Sequence, residues 1–264
     1  MKRFYALLIV ALFAITPSLM AQSASFYNAT RDAEKLIKQM PTENYHRAYF
    51  GINDAHINWK EFGIYGELKY PIKSGVTLGY LQSYHIVKGL PIFVEYGANI
   101  NYLFGKEKTP KGEFSAIQLE GYYKANMFAL NVPINASLRL SFDNNRIAVT
   151  PYIGLNLRFN LFGNQTSGYK IENASLDGNE AELYREPKKV RLFDSSKDEE
   201  GAAGDLAFNR FQMGLNYGVA FSYDVYTISI GRVSDFTRIA NLDKTTYKDK
   251  GRMGVTTISV GYAF

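Results

Sequence analysis

Three charged residues stand in segments that are otherwise neutral, and their setting limits the chemistry they could do. Glu95, Arg139 and Arg158 lie among side chains that alternate between large apolar and small or polar types. In a strand these two types face opposite sides, so each charge shares a face with polar residues. The neutral polar residues that we group with these charges as a lumen polar network are Asn135, Asn156 and Gln212.

Opposite charges on one enclosed face can form ion pairs, whereas an unpaired buried charge is costly. The simpler interpretation of this network is therefore a salt-bridged filling of an interior. The alternative is a gated path for ions through the same residues. We expect the salt-bridged filling. The fold predicted below is a small β-barrel, whose interior is only just wide enough for side chains.

A second candidate for chemistry is the pair Ser83 and His85, which lie two positions apart and share one face of a strand. A lipid hydrolase needs a serine activated by a histidine that a third group orients. The sequence shows no nucleophile-elbow motif and no third member, so we predict no catalytic residue. His46 and His56 do not complete a metal-ligand spacing with His85, and cysteine is absent. We predict neither a metal nor a cofactor.

Long alternating segments are the elements that must position these residues. Strict alternation runs through 92–104, 127–142, 147–161, 211–223 and 225–235, and a looser form through 62–70 and 76–87. Strands of ten or more residues exceed the usual soluble length and match a tilted membrane crossing. The face that carries Gly, Asn, Ser and charge is then the inner one, and the apolar face meets lipid.

Connection lengths alternate between short and long along the chain. The short turns are 88–91, 143–145 and 223–226, and the long connections are 105–126, 163–209 and 237–251. Asp and Asn at 143–145 tolerate left-handed backbone and suit a tight turn. This asymmetry is typical of outer-membrane barrels, which have short periplasmic turns and long external loops. We predict an all-β fold, a transmembrane antiparallel up-and-down barrel.

Two weaker segments, 46–57 and 114–123, leave the strand count open. Counting back from the end predicts eight strands, the first ending near Ile72. In that count the weaker segments extend the first strand and the second external loop. If both cross the membrane instead, the count is ten. Pro133 lies mid-strand and cannot donate to the ladder, so we expect a bulge there.

The last stretch, 252–264, alternates and finishes on an aromatic residue. Its large face carries Ile258, Val260, Tyr262 and Phe264. The ending resembles the C-terminal signal by which outer-membrane barrels are recognised for insertion. We therefore predict that these four residues form an assembly signal, with the barrel-assembly machinery as partner.

The first 21 residues have the features of a secretory signal peptide, with Lys2 and Arg3 followed by the apolar run 4–15 and a small-residue end at Ala21. Residues 22–45 are predicted to be a periplasmic segment with a short helix over 29–40. That helix would act as a tether, or alternatively as a plug in the lumen. The barrel domain is then 46–264, with the long external loop at 163–209, and the predicted location is the outer membrane of a Gram-negative envelope.

The net charge of +5 raises the question of nucleic-acid binding. No compact basic stripe with interleaved aromatics is present, so we expect no nucleic-acid partner. Aromatics make up 15% of the chain, which suits a barrel with aromatic girdles.

Four segments of this sequence resemble the small bacterial outer-membrane β-barrel family that includes PorT-like proteins. They are 90–97 (LPIFVEYG), 131–135 (NVPIN), 150–154 (TPYIG) and 260–264 (VGYAF). The likeness covers roughly 60–264. It implies an outer-membrane barrel of eight to ten strands, and it does not imply a particular activity.

The sequence therefore favours a non-enzymatic outer-membrane barrel whose external loops bind a ligand or partner, or which has an envelope-structural or export-accessory role. The alternatives are a small porin-like pore or passive transporter and, behind it, a lipid-modifying enzyme. Expected partners are outer-membrane lipid and lipopolysaccharide, the assembly machinery, and a protein or small ligand at the external loops.

Overall fold

The computed structural model describes residues 42–58, 72–108, 112–114, 117–143, 145–173, 182–193, 208–241 and 250–264. The signal peptide predicted at 1–21, the helix predicted over 29–40 and the alternating segment 62–70 lie outside these residues. Within the described part, no helix has the length and apolar character needed to span a membrane.

Antiparallel strands make up the regular structure. In chain order they are β1 (Tyr45–Asn58), β2 (Ser74–His85), β3 (Ile92–Lys108), β4 (Gly112–Phe114), β5 (Ile117–Leu138), β6 (Leu140–Phe142), β7 (Ile147–Asn173), β8 (Glu182–Arg191), β9 (Phe211–Tyr223), β10 (Tyr226–Asp235), β11 (Ala240–Asn241) and β12 (Lys250–Ala263). Eight of them pair with the next around a closed ring, in the order β1, β2, β3, β5, β7, β9, β10, β12 and back to β1. The predicted eight-stranded up-and-down barrel is confirmed, and the ten-stranded alternative is wrong.

Side chains are distributed inside out compared with a soluble barrel. Leu78 and Ile52 are 63% and 60% exposed, whereas Glu95 and Arg158 are completely buried. Outward apolar and inward polar residues are what a barrel in lipid requires, because closure also satisfies every strand edge. The fold is therefore that of a transmembrane β-barrel.

The strand assignments at 46–57 and 114–123 need correction. β1 is itself the first barrel strand, because it pairs with β2 on one side and with β12 on the other. It does not extend a strand that ends near Ile72, since Ile72 lies just before β2. Residues 117–123 belong to β5 and pair with β7, so most of 114–123 is strand and not loop.

The expected bulge at Pro133 is also wrong. Pro133 pairs in register with Asn156 on β7, and only its pairing toward β3 is interrupted. Proline lacks a backbone N–H, which would bond to only one of the two neighbouring strands. Its pairing with the other strand can therefore continue without a bulge. The register shift instead falls between Phe128 and Ala129, opposite Leu161 on β7.

The two ends of the barrel differ strongly. At one end short turns join the strands, and Asp143 and Asn145 take φ values of 50° and 70° there. At the other end β5 and β7 run for 22 and 27 residues, well past the ~10 residues that cross a bilayer. Part of the predicted loop 163–209 is thus ordered as the end of β7 and as β8, which pairs with β7.

Candidate functional site

Glu95 is the centre of a buried polar group near the short-turn end, called the Glu95 group below. Its carboxylate accepts hydrogen bonds from Tyr45 Oη at 2.7 Å and from Ser83 Oγ at 3.2 Å. Arg47 Nη2 lies 3.7 Å from Glu95 Oε2 and supplies the opposite charge. Glu95 lies on β3, which pairs with β2, and β2 pairs with β1. The partners of Glu95 therefore come from these two neighbouring strands.

Ser83 and His85 do not form a catalytic pair. The Ser83 hydroxyl donates to Glu95, and His85 Nε2 donates to the carbonyl of Leu90 at 2.8 Å. Each side chain is therefore committed to a different partner, and a nucleophile needs its base within hydrogen-bond reach. Among the described residues, no three His, Asp or Glu side chains cluster in a way that could hold a metal ion.

Arg158 and Asp235 form a second buried group nearer the loop end. Arg158 Nη1 lies 2.6 Å from Asp235 Oδ2, and both side chains are completely buried. Arg158 Nε also donates to Asn131 Oδ1 at 3.1 Å, and Asn156 Nδ2 donates to the same oxygen at 3.2 Å. This group ties β5, β7 and β10 together across the lumen.

The remaining three members of the predicted network lie beside these two groups. Asn135 is directly opposite Glu95, and Gln212 is directly opposite Arg158. Arg139 sits at the short-turn end, with its guanidinium 4.4 Å from the centre of the Tyr45 ring. Asn135 accepts a hydrogen bond from Asn216 at 2.9 Å, and Gln212 donates to the carbonyl of Asn209 at 2.8 Å. The structure thus brings Arg158 and Asn156 together and separates both from Glu95 and Arg139.

A polar cavity of about 70 Å³ lies along the middle of the lumen. Its lining includes Arg47, Tyr49, Asn99, Asn131 and Asn156. This volume has room for a few water molecules, and the amide and guanidinium groups can hydrogen-bond them. The cavity is therefore suited to water and is too small for a sizeable ligand.

Above the Arg158 group, a packed apolar cluster fills the lumen at the loop end, and we name it the loop-end cap. Its members are Ala55, Ile57, Ile72, Leu103, Ala125, Met127, Leu192, Phe193, Phe208, Ile239, Met253 and Val255. Most are inward residues of barrel strands, whereas Ile72, Leu192, Phe193, Phe208 and Ile239 come from the connections. The cap closes the lumen with side chains that exclude water.

Backbone hydrogen bonds hold the connections in the cap. Leu192 N donates to Gly163 O at 3.0 Å, Phe208 N to Leu192 O at 2.9 Å, and Asn209 N to Ile239 O at 2.7 Å. Sequence reasoning did not find these cap residues, because it treated 163–209 as one external loop. The available signal was the apolar pair Leu192 and Phe193 inside a polar stretch.

Three residues of the predicted assembly signal lie on the outer face of β12, and the fourth, Phe264, follows the strand. Ile258, Val260 and Tyr262 pair with β1 on one side and with β10 on the other. Phe264 lies beyond the strand, and its ring stacks on His46 with centroids 5.8 Å apart. At the same end, hydrogen bonding to Asp224 raises the pKa of Arg146 and links two short turns.

No family model matches this sequence, and no curated protein matches it. Among solved structures, the chain is similar to Ail, the attachment invasion locus protein of Yersinia pestis, with 11% identity, 84% of this chain and 99% of that one covered, and a TM-score of 0.34. It is similar to Neisserial surface protein A, with 12% identity, 84% and 97% covered, and a TM-score of 0.34. It is also similar to OprG from Pseudomonas aeruginosa, with 12% identity, 84% and 95% covered, and a TM-score of 0.36. The PorT-like resemblance stays a prediction.

Proposed function

We propose that this chain is an integral outer-membrane β-barrel with neither an open pore nor an active site, and that its loop-end surface performs its function. The single observation that carries the proposal is the loop-end cap. It lies on the loop side of the buried Arg158–Asp235 pair, and we infer that these two layers of side chains block the lumen in series. A barrel closed in this way has its accessible surfaces at the ends and on the outside.

The outward face of the barrel favours placement in the outer membrane. The outward side chains form an apolar band, and aromatic residues lie toward both ends of it, among them Tyr84, Tyr96, Tyr102 and Phe162. Such girdles and the contrast between short turns and long connections are features of outer-membrane barrels. The short turns then face the periplasm and the long connections face outward.

The loop end offers the structure on which a partner could bind. Beyond the barrel, β7 pairs with β5 on one side and with β8 on the other, from Asn164↔Arg191 to Glu172↔Glu182 on the β7–β8 side. A paired ribbon is a firmer platform than a loop, because its backbone groups are already satisfied. We infer that binding, or an envelope-structural or export-accessory role, depends on this ribbon.

The alternative of a small pore draws on the polar cavity of about 70 Å³. A conducting path would need the cap and the Arg158 group to move aside together. The ion pair and its hydrogen bond to Asn131 on β5 oppose that movement. A closed barrel is therefore better supported than a small pore.

The proposal is tested by complementing a strain that lacks the gene. One variant replaces residues 170–184 by an Asn-Gly turn, which bridges Tyr169 and Arg185, a pair in the native ribbon. The loop-end cap stays intact in this variant, and of the barrel strands only β7 is shortened, at its end beyond Tyr169. We expect a folded, heat-modifiable barrel that fails to restore the envelope phenotype, while a Lys88→Gln control at the opposite end restores it. Full rescue by the shortened ribbon contradicts the proposal.

A further inference from the structure

Three lysines form a single cross-strand row on the outer face at the loop end. Lys106 on β3 is directly opposite Lys124 on β5, Lys124 is opposite Thr166 on β7, and Thr166 is opposite Lys189 on β8. Directly opposite residues have Cβ atoms ~5 Å apart. All three lysines are exposed, and we call these four residues the lysine row.

The lysine row stands just above the apolar band. Alternation puts Lys106 on the face of Phe104, and it puts Lys124 on the face of Phe128. Phe128 stacks on Phe162 of β7 with ring centroids 4.7 Å apart. Two residues advance a strand by ~7 Å, so the row lies roughly one step above Phe104 and two steps above Phe128. That is the level of lipid headgroups.

The positive charge of the row has no partner among the carboxylates that the structure describes. Lys106 and Lys124 are like charges in direct opposition, which destabilises a sheet. Among the side chains that the structure describes, no carboxylate pairs with Lys106, Lys124 or Lys189, and Glu107 is paired with Lys73. An anion from outside the chain would relieve this repulsion.

A fourth cation lies on the same face. Arg191 is opposite Asn164, one step nearer the apolar band than Lys189 and Thr166. Asn164 is in turn opposite Asn126 on β5, and these two residues separate the stacked Phe128 and Phe162 from the row. Cations therefore extend from the headgroup level down toward the edge of the lipid-facing surface.

We propose that the lysine row binds the phosphate group of an anionic lipid in the outer leaflet, whose acyl chains lie over Phe104, Phe128 and Phe162. Clustered cations beside a lipid-facing surface attract anionic headgroups, and charge-assisted hydrogen bonds to phosphate strengthen the contact. The lysine row is continuous with the apolar band, so one lipid can place its phosphate against the row and its acyl chains against the band. This inference rests on the membrane placement proposed above.

The test measures the unfolding temperature of the refolded full chain in lipid nanodiscs by loss of the heat-modifiable gel form. Three bilayers are compared: phosphatidylcholine alone, phosphatidylcholine with lipid A, and phosphatidylcholine with dephosphorylated lipid A. A ligand of the folded state raises its apparent stability. We expect phosphorylated lipid A to raise the unfolding temperature of the wild type above both other bilayers.

Two variants separate the lysine row from general charge effects. The triple variant Lys106→Gln, Lys124→Gln and Lys189→Gln should lose most of that increase and should be no less stable than wild type in phosphatidylcholine. Lys88→Gln, an exposed lysine in a short turn, should keep it. An equal increase in the triple variant, or equal effects of both lipid A forms on wild type, overturns the lysine-row proposal. A chain that forms no folded barrel in any bilayer contradicts the proposed membrane placement instead.

Discussion

Arg158 and Asp235 pair across the lumen with 2.6 Å between Nη1 and Oδ2, although 77 residues separate them in the sequence. Both are completely buried beneath the loop-end cap. Taking two charges out of water is costly, and the pair is tolerated because the charges cancel and Asn131 accepts a further hydrogen bond. The pair therefore fixes the register of β7 relative to β10 across the barrel.

Removing one charge of this pair should be strongly destabilising. Asp235→Asn leaves the Arg158 guanidinium buried without a counter-charge, which costs about 3–5 kcal/mol in comparable sites. Replacing both, as in Arg158→Met with Asp235→Leu, should cost less than either single change. Urea unfolding of the refolded protein in bilayers measures the difference.

A suitable control is the exposed pair of Arg146 and Asp224, which joins two short turns. Arg146→Gln should leave the unfolding midpoint nearly unchanged, because water screens exposed ion pairs. If Asp235→Asn is as mild as Arg146→Gln, the buried pair does not stabilise the barrel as described.

Much of the fold could be predicted from the alternation of apolar and polar residues. The predicted segment 211–223 coincides with β9, and 225–235 differs from β10 by one residue. Alternation in such segments is enforced by lipid on one side and a packed lumen on the other. β1 was harder to recognise, because Asp54 lies on its outward face and the apolar Ala55 and Ile57 lie on its inward face.

The pairing of charges could not be predicted, since it depends on strand register and barrel closure. Glu95 was expected to pair with an arginine of the predicted network, and it pairs with Arg47. The partner of Arg158 proved to be Asp235, which alternation had placed on the inner face of β10 without indicating what it contacts. The loop-end cap was missed for a related reason, because its connection residues have no periodicity to reveal their burial.

Phe264 should matter more for assembly than for the stability of the finished barrel. Its backbone exchanges two hydrogen bonds with His46, from His46 N to Phe264 O at 2.8 Å and from Phe264 N to His46 O at 2.9 Å. Its ring also stacks on His46, at the seam where β12 meets β1. We expect Phe264→Ala to lower the yield of assembled barrel while the unfolding temperature of the assembled fraction changes little.

The matched control for Phe264 is Phe142→Ala, an outward aromatic at the same end that lies away from the seam. Yield is measured by gel mobility after assembly with purified machinery. Equal yields for the two variants would argue against a role of Phe264 in recognition.

Ser83 and His85 should be dispensable for any chemistry on lipids. Ser83 is buried and donates to Glu95, so Ser83→Ala removes a hydrogen bond and should lower stability modestly, by about 1 kcal/mol. We expect the membrane lipid profile, measured by mass spectrometry, to match wild type in Ser83→Ala and in His85→Ala cells. A lost or accumulated lipid species in either strain would revive the enzyme alternative.

The loop-end cap should contribute to stability as a soluble core does. Met253 is 1% exposed, and truncating a buried side chain of this size leaves a cavity that costs about 2–5 kcal/mol. Met253→Ala should therefore lower the unfolding midpoint clearly. Ile86→Ala, in an exposed turn position, should not. Similar midpoints for the two variants would mean that the cap is loosely packed.

The most direct test of a closed barrel is the conductance of the purified, refolded protein in a planar bilayer, with a general porin recorded under the same conditions as the positive control. The cap and the Arg158–Asp235 pair block the lumen in series, so we predict no conductance steps above baseline at any applied voltage. Reproducible single-channel steps from the folded wild-type protein would contradict the account.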